Sequence, residues 1–194
     1  MSRTNAAGSS ITDLIGVSPV VKIDGGQPPV WRFPELSGTQ TFKAGEMVNL
    51  SGGTTLGIGL TVPPTDASGF GIVGFAADDA TGVTSAMKAV YVATPETIFV
   101  GNVYHATSAS AQTGPNDLGR CYGLTSLSGR TGVDKGKTAM STVLCRVVGL
   151  HEQDAVPSFY GRVYFSVIQG ACQMYNNANW IVTSGSPGNA GLLV

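Results

Sequence analysis

The sequence predicts an all-β chain: a compact β-barrel or sandwich of about eight to ten short strands, with an extended N-terminal arm and a C-terminal tail. Three observations carry that reading. Short runs rich in Val, Ile, Phe, Tyr and Thr recur at close spacing, punctuated by Gly, Pro, Asn, Asp and Ser. No ten-residue stretch has the apolar period of an amphipathic helix. Only 12% of residues are charged and 27 of 194 are glycine, against usual shares of about 25% and about 7%. A soluble monomer is expected to carry roughly 25–35% charged residues on its surface. A chain with so few is expected to cover apolar surface with a neighbour.

Residues 1–38 lack periodicity and contain "GGQPPVWRFPELSG". Pro28, Pro29 and Pro34 argue against a helix and against a central strand. The segment is read either as an extended arm anchored by Trp31 and Phe33, or as a first edge strand folded back on its own domain. The main domain, residues 39–172, begins with "TQTFKAGEMVNL", a strand region broken at Lys43-Ala44-Gly45. "TTLGIGLTV" alternates glycine with apolar residues, as a strand does where backbones approach closely. "FGIVGFAA" reads as a buried strand, "DDATGV" as a turn, and "MKAVYVA" and "TIFVGNVYHA" as strands. A polar loop then turns at Asn116–Gly119 into the short strand "CYGL", and "TSLSGRTGVDKGKTAMS" reads as a glycine-rich loop. "TVLCRVVGL" and "GRVYFSVI" are the last strong strands, and residues 173–194 form a tail. Period-2 placement puts Phe42, Val48, Ile72, Val90, Val92, Phe99, Val147, Val163 and Phe165 in the core.

Composition also bounds the function. Net charge is −1 and the Lys and Arg residues are scattered singly, so no electrostatic footprint for nucleic acid is present. No run approaches the ~18 apolar residues that span a bilayer, and the first residues do not read as a secretory leader. Cys121, Cys145 and Cys172 are an odd number without CxxC spacing. Buried thiols in a reducing cytoplasm are expected rather than a disulfide.

Catalytic chemistry finds little support. His105 and His151 each lack a second histidine at metal spacing, and the HExxH, GxSxG, Walker A and GxGxxG patterns are absent. Asp78 and Asp79 are adjacent, so on a strand they would point to opposite faces. Bonding backbone amides in a turn is the expected role. His151, Glu152 and Asp154 of "HEQDA" are the best metal or acid–base group, with a polar inter-strand loop as the favoured reading. Cys121 lacks an activating base and is expected in the core. No catalytic, cofactor or metal residue is assigned.

Six segments occur in a particular order: "FKAGEMVNL", "GIVGFAADDA", "VYVATPETIFVGNV", "NDLGRCYGL", "RVVGLHEQDAV" and "GRVYFSVI". In that order and spacing, over roughly residues 40 to 168, the chain resembles the capsid decoration (cement, or head auxiliary) proteins of tailed bacteriophages. The resemblance implies a passive virion protein on the outer surface of an icosahedral head. It would be assembled in the host bacterial cytoplasm and bind the major capsid protein, as a homo-oligomer with a trimer expected. It would tie neighbouring capsid subunits together against internal DNA pressure. The turn at 116–119 is then a barrel corner, with Asn116 or Asp117 capping, Leu118 plugging the barrel end and Gly119 at positive φ.

Pro28, Pro29, Val30, Trp31 and Phe33 are the residues expected to bind a partner, because prolines stiffen an extended segment and buried Trp is a common interface anchor. The alternative role for Trp31 is to cap the open end of its own barrel. A second functional class is a carbohydrate- or receptor-binding β module using Trp31, Tyr175 and Trp180. A third, a hydrolase, rests on "HEQDA" alone.

Overall fold

A computed structural model describes residues 14–36, 40–52, 58–61, 71–127 and 129–175. Eleven strands appear among the described residues, numbered in chain order: β1 Ser18–Lys22, β2 Val30–Pro34, β3 Met47–Gly52, β4 Ile58–Thr61, β5 Gly74–Ala76, β6 Met87–Val92, β7 Thr97–Tyr104, β8 Cys121–Ser126, β9 Thr131–Asp134, β10 Cys145–Leu150 and β11 Arg162–Val167. The described helical turns are single 3-10 turns of three residues.

The strands form two sheets. β7, β11, β10, β8 and β9 follow one another in the first, and a parallel pairing of β9 with β7 closes them into a five-stranded barrel. β1 adds antiparallel to the N-terminal half of β7, on the side where β9 pairs with its C-terminal end. The second sheet runs β2-β6-β5-β3-β4, and its two end strands approach one another.

Period-2 alternation explains why the second sheet reads as apolar on consecutive residues. Met47, Phe75 and Tyr91 point to the larger core, shared with the barrel. Their neighbours Val48, Ala76 and Val90 point to a smaller core on the opposite face. The larger core draws Phe99 and Val103 from β7, Leu124 from β8, Val133 from β9, Val147 from β10 and Val163 and Phe165 from β11. Three rings tie sheet to barrel: Phe75 to Phe99 at 4.7 Å between centroids, Phe99 to Phe165 at 5.9 Å and Phe75 to Phe165 at 6.0 Å. Burying each ring contributes about 1.5–3 kcal/mol relative to exposure. All nine residues expected in the core are buried.

Polar side chains stitch the same junction. The Met47 amide donates to Thr131 Oγ1 at 2.8 Å and Ser126 Oγ to Glu46 Oε1 at 2.6 Å. Gly45, at φ +84°, packs so closely on Gly16 that a Cβ there would lie 2.5 Å from the Gly16 Cα. The turn expected at Lys43–Gly45 therefore needs glycine for both conformation and space.

Three parts of the sequence reading change. The described part of the segment read as an arm, residues 14–36, takes the edge-strand alternative, with β1 on β7 and β2 on β6. Leu14 and Val17 are buried, and the Ile15 amide donates to Asn102 Oδ1 at 2.9 Å. Residues 1–13 lie outside the described residues. The glycine-rich loop contains β9, four buried residues that close the barrel. Finally, the boundary at 172 moves, because Gln173 is docked: its side chain accepts from the Leu50 amide and donates to the Leu50 carbonyl, both at 2.8 Å.

Candidate partner-binding site

β2 pairs antiparallel with β6, setting Val30 opposite Tyr91, Trp31 opposite Val90 and Phe33 opposite Lys88. Cross-strand partners share a face. Trp31 and Phe33 therefore lie on the side of the smaller core, where Phe33 packs against buried residues. The two rings are 6.3 Å apart, yet Trp31 remains 51% exposed. Val30 is exposed to the same degree but faces the other side of the sheet. Pro28 and Pro29 are half-buried in the link between the sheets, and the Pro29 carbonyl accepts from the Val92 amide at 2.9 Å. The five expected residues are thus neighbours in sequence but not one patch. Trp31 and Phe33 are brought together, while Val30 is turned away.

Met174 was not anticipated beside them. It packs partly buried against the same smaller core, and Tyr175 follows it half exposed. No local signal in "CQMY" marks this contact, which depends on Gln173 docking along β3. Trp180 lies outside the described residues.

The end of β2 is locked by a buried carboxylate. Glu35 Oε1 accepts from the Thr81 amide at 2.6 Å and the Thr81 hydroxyl at 2.9 Å, with Lys88 Nζ at 3.6 Å. Burial pushes its pKa up, but the Thr81 bonds and the Lys88 charge more than offset this and hold it below the usual carboxylate value.

The other residues with reactive chemistry are engaged in structure. At the corner, Asp117 is buried in a 3-10 turn, accepting from the Gly114 amide at 2.8 Å and the Tyr122 hydroxyl at 2.7 Å. Lys135 Nζ lies 2.9 Å from its Oδ1. Burial, then the Asp117 carboxylate, pushes the Tyr122 hydroxyl far above its ordinary pKa. Gly119 has the expected positive φ, +76°. Leu118 does not plug the barrel: it is 52% exposed. A single 3-10 turn cannot point adjacent side chains the same way, and Asp117, with three polar partners to meet, takes the inward position.

At "HEQDA", Asp154 accepts from the Arg162 amide at 2.6 Å and from its guanidinium, with Nη2 at 2.6 Å and Nε at 3.1 Å from the carboxylate. Burial raises the Asp154 pKa, and the Arg162 bonds and charge outweigh this to lower it. Glu152 accepts from the Tyr164 hydroxyl at 2.9 Å, and the His151 ring sits 5.3 Å from that of Tyr164. Asp78 and Asp79 accept from the backbone amides of Ala89 and Ala44 at 3.1 and 2.9 Å. Among the described residues, no three His, Cys, Asp or Glu side chains come together as a metal site.

All three cysteines are free thiols. Cys145 and Cys172 are buried, and burial pushes the Cys172 thiol up to about 12. Cys121, expected in the core, is only half-buried because it starts β8 at the barrel rim. The chain matches no protein-family model, and no curated protein or solved structure shows significant similarity to it.

Proposed function

We propose that this chain is a structural protein of a tailed-bacteriophage head. On this reading it binds the major capsid protein on the capsid exterior, cementing neighbouring subunits as a homo-oligomer, with a trimer as the assembly unit. The observation that carries the reading is the Trp31–Phe33 ledge. A large aromatic is held on a paired, proline-bounded strand, half of it in solvent, on a chain with very few surface charges. Aromatics presented on rigid strands lose little conformational freedom on docking and dominate many interfaces.

Two further features support it. The six segments that carry the family resemblance supply β3, β5, β7, the corner with β8, β10 and β11, which are the framework of both sheets. The carboxylates weighed for catalysis, Asp78, Asp79, Glu152 and Asp154, are engaged by backbone amides, Tyr164 or Arg162.

The test is retention on tailed-bacteriophage heads assembled from a major capsid protein. The wild-type protein is expected to co-sediment at a fixed ratio, and Trp31→Ser to lose at least tenfold in affinity. Absence of co-sedimentation at micromolar protein overturns the reading, and saturable glycan binding through Trp31 would favour the carbohydrate-binding class instead.

A further inference from the structure

Cations on this chain differ in how they are compensated. Lys22, Lys43, Lys88, Lys135 and Lys137 each lie 2.9–3.9 Å from a carboxylate, and Arg162 lies 2.6 Å from Asp154. Among the described residues, no ion pair reaches Arg120 or Arg146. Both are exposed, on segments that run side by side. The Val147 amide donates to the Arg120 carbonyl and the Gly119 amide to the Val147 carbonyl, both at 2.9 Å, and Arg146 is the strand partner of Cys121. Leu118 and Val148, on the same two segments, are exposed as well. The corner side of the barrel thus carries two uncompensated guanidinium groups and two exposed apolar side chains.

The β1 edge of the same sheet carries the complement. The turn after β1 is held by the Ile23 amide, which donates to the Glu96 carbonyl at 2.8 Å. Asp24 and Glu96 share one ammonium there, with Lys22 Nζ 3.1 Å from Asp24 and 3.5 Å from Glu96. Two exposed carboxylates against one lysine leave a negative excess, and Val20 and Ile23, on either side of Lys22, are exposed. Arg146, Ser166, Ile98 and Val21 are successive strand partners across β10, β11, β7 and β1. The two patches therefore lie at opposite ends of one row of the sheet, three strand spacings or about 14 Å apart.

We propose that copies of this chain associate head to tail through these two patches. Arg120 and Arg146 of one copy meet Asp24 and Glu96 of the next, while Leu118 and Val148 cover Val20 and Ile23. A two-fold contact of either patch with itself would oppose like charges and so weaken binding, whereas the head-to-tail contact pairs unlike ones. The planar fork of arginine also suits a carboxylate partner. Head-to-tail contacts close into a ring where the rotation between copies allows it, and the trimer proposed above is such a ring. The contact gives that oligomer its interface and rests on the proposed function only for the number of copies. It lies on the first sheet, whereas the Trp31 ledge lies on the second.

The test is charge exchange in the full chain, with association followed by sedimentation velocity over a dilution series in the absence of heads. Wild type is expected to associate at micromolar concentration. Arg146→Glu and Glu96→Arg are each expected to weaken association by roughly tenfold or more, the lower end of what close interfacial charge pairs contribute. Both should keep the wild-type circular dichroism spectrum. The double variant R146E/E96R restores an unlike pair and is expected to associate within about threefold of wild type. A strictly monomeric wild type, single variants that associate as wild type does, or a double variant no tighter than either single each overturn the proposal. Should a reversal unfold the chain, R146Q and E96Q replace it. Both are expected to weaken association, and unchanged association overturns the proposal. Association is read without heads, so a failure of head binding touches the proposed function alone.

Discussion

The barrel corner at residues 114–122 and the β2 ledge at residues 30–35 invite opposite misreadings. The corner, with its Asp, Cys and Tyr beside a polar loop, resembles the rim of an active site. The ledge, with its prolines, resembles a loose strap. In the structure the corner is closed on itself: Asp117 meets Gly114, Tyr122 and Lys135 within the same few residues and the adjacent β9 turn. The ledge is a strand in a sheet, locked at its end by Glu35 and yet leaving a Trp half in water. A buried polar group must find partners or lose its desolvation energy, so a conspicuous acid in a turn is most often consumed by that turn. An aromatic ring carries no such requirement. Its exposure costs apolar area that a partner can recover.

The contrast can be broken most directly at Asp117. Replacing it with Ala removes the acceptor for three donors and leaves Lys135 without its counter-ion. Urea denaturation of Asp117→Ala is expected to show a loss of about 3 kcal/mol, the lower end of what breaking a buried pair costs, because Lys135 is 19% exposed and regains some solvent. A loss below about 1 kcal/mol would mean that the corner is not held by this network.

A smaller effect is expected at the second latch. Asp154 has a folded pKa below its unfolded value. Its contribution is therefore complete above the unfolded value of about 3.9 and is lost as pH falls through the folded one. Asp154→Asn should be less stable than wild type by about 1.5–3 kcal/mol at pH 7, the range for hydrogen bonds to a charged group. The two should converge as pH drops below about 3.9. A gap that persists at lower pH would assign the effect to packing rather than to the Arg162 charge.

The smallest stability effect belongs to the ledge. Trp31→Ser is expected to change unfolding free energy by no more than about 1 kcal/mol, near the range for surface positions, while head retention collapses. A Trp31→Ser protein that unfolds with a loss above about 3 kcal/mol would make the ring a cap of its own domain, the role in which it serves only the fold.

The strands of strongest alternation were legible because each carries its instruction locally. In β11, Val163, Phe165 and Val167 at every second position determine one buried face whatever the neighbouring strand is, and in β7 Phe99 and Val103 take the same buried side. Glycine at 45 and 119 and an acid at 117 likewise announce turns, since backbone conformation and side-chain capping act over three or four residues. β9 was not legible. Thr131–Asp134 is too short to show a period, and all four residues are buried only because β8 and β7 flank them on either side. β1 and β2 were ambiguous for a related reason: prolines on an edge strand and on a free arm obey the same backbone rule.

The sequence by itself determined the all-β class, nine residues of the core and the corner, because alternation, turn chemistry and low charge are properties of short windows of chain. Only the tertiary structure decided that β9 closes the barrel, that Leu118 faces water while Asp117 is buried, and that Met174 lies on the face of Trp31 and Phe33. The first and third depend on pairings between residues tens of positions apart, and the second on Lys135, 18 positions from Asp117. The energy of such a contact is fixed by which surface arrives opposite, and no local pattern encodes it.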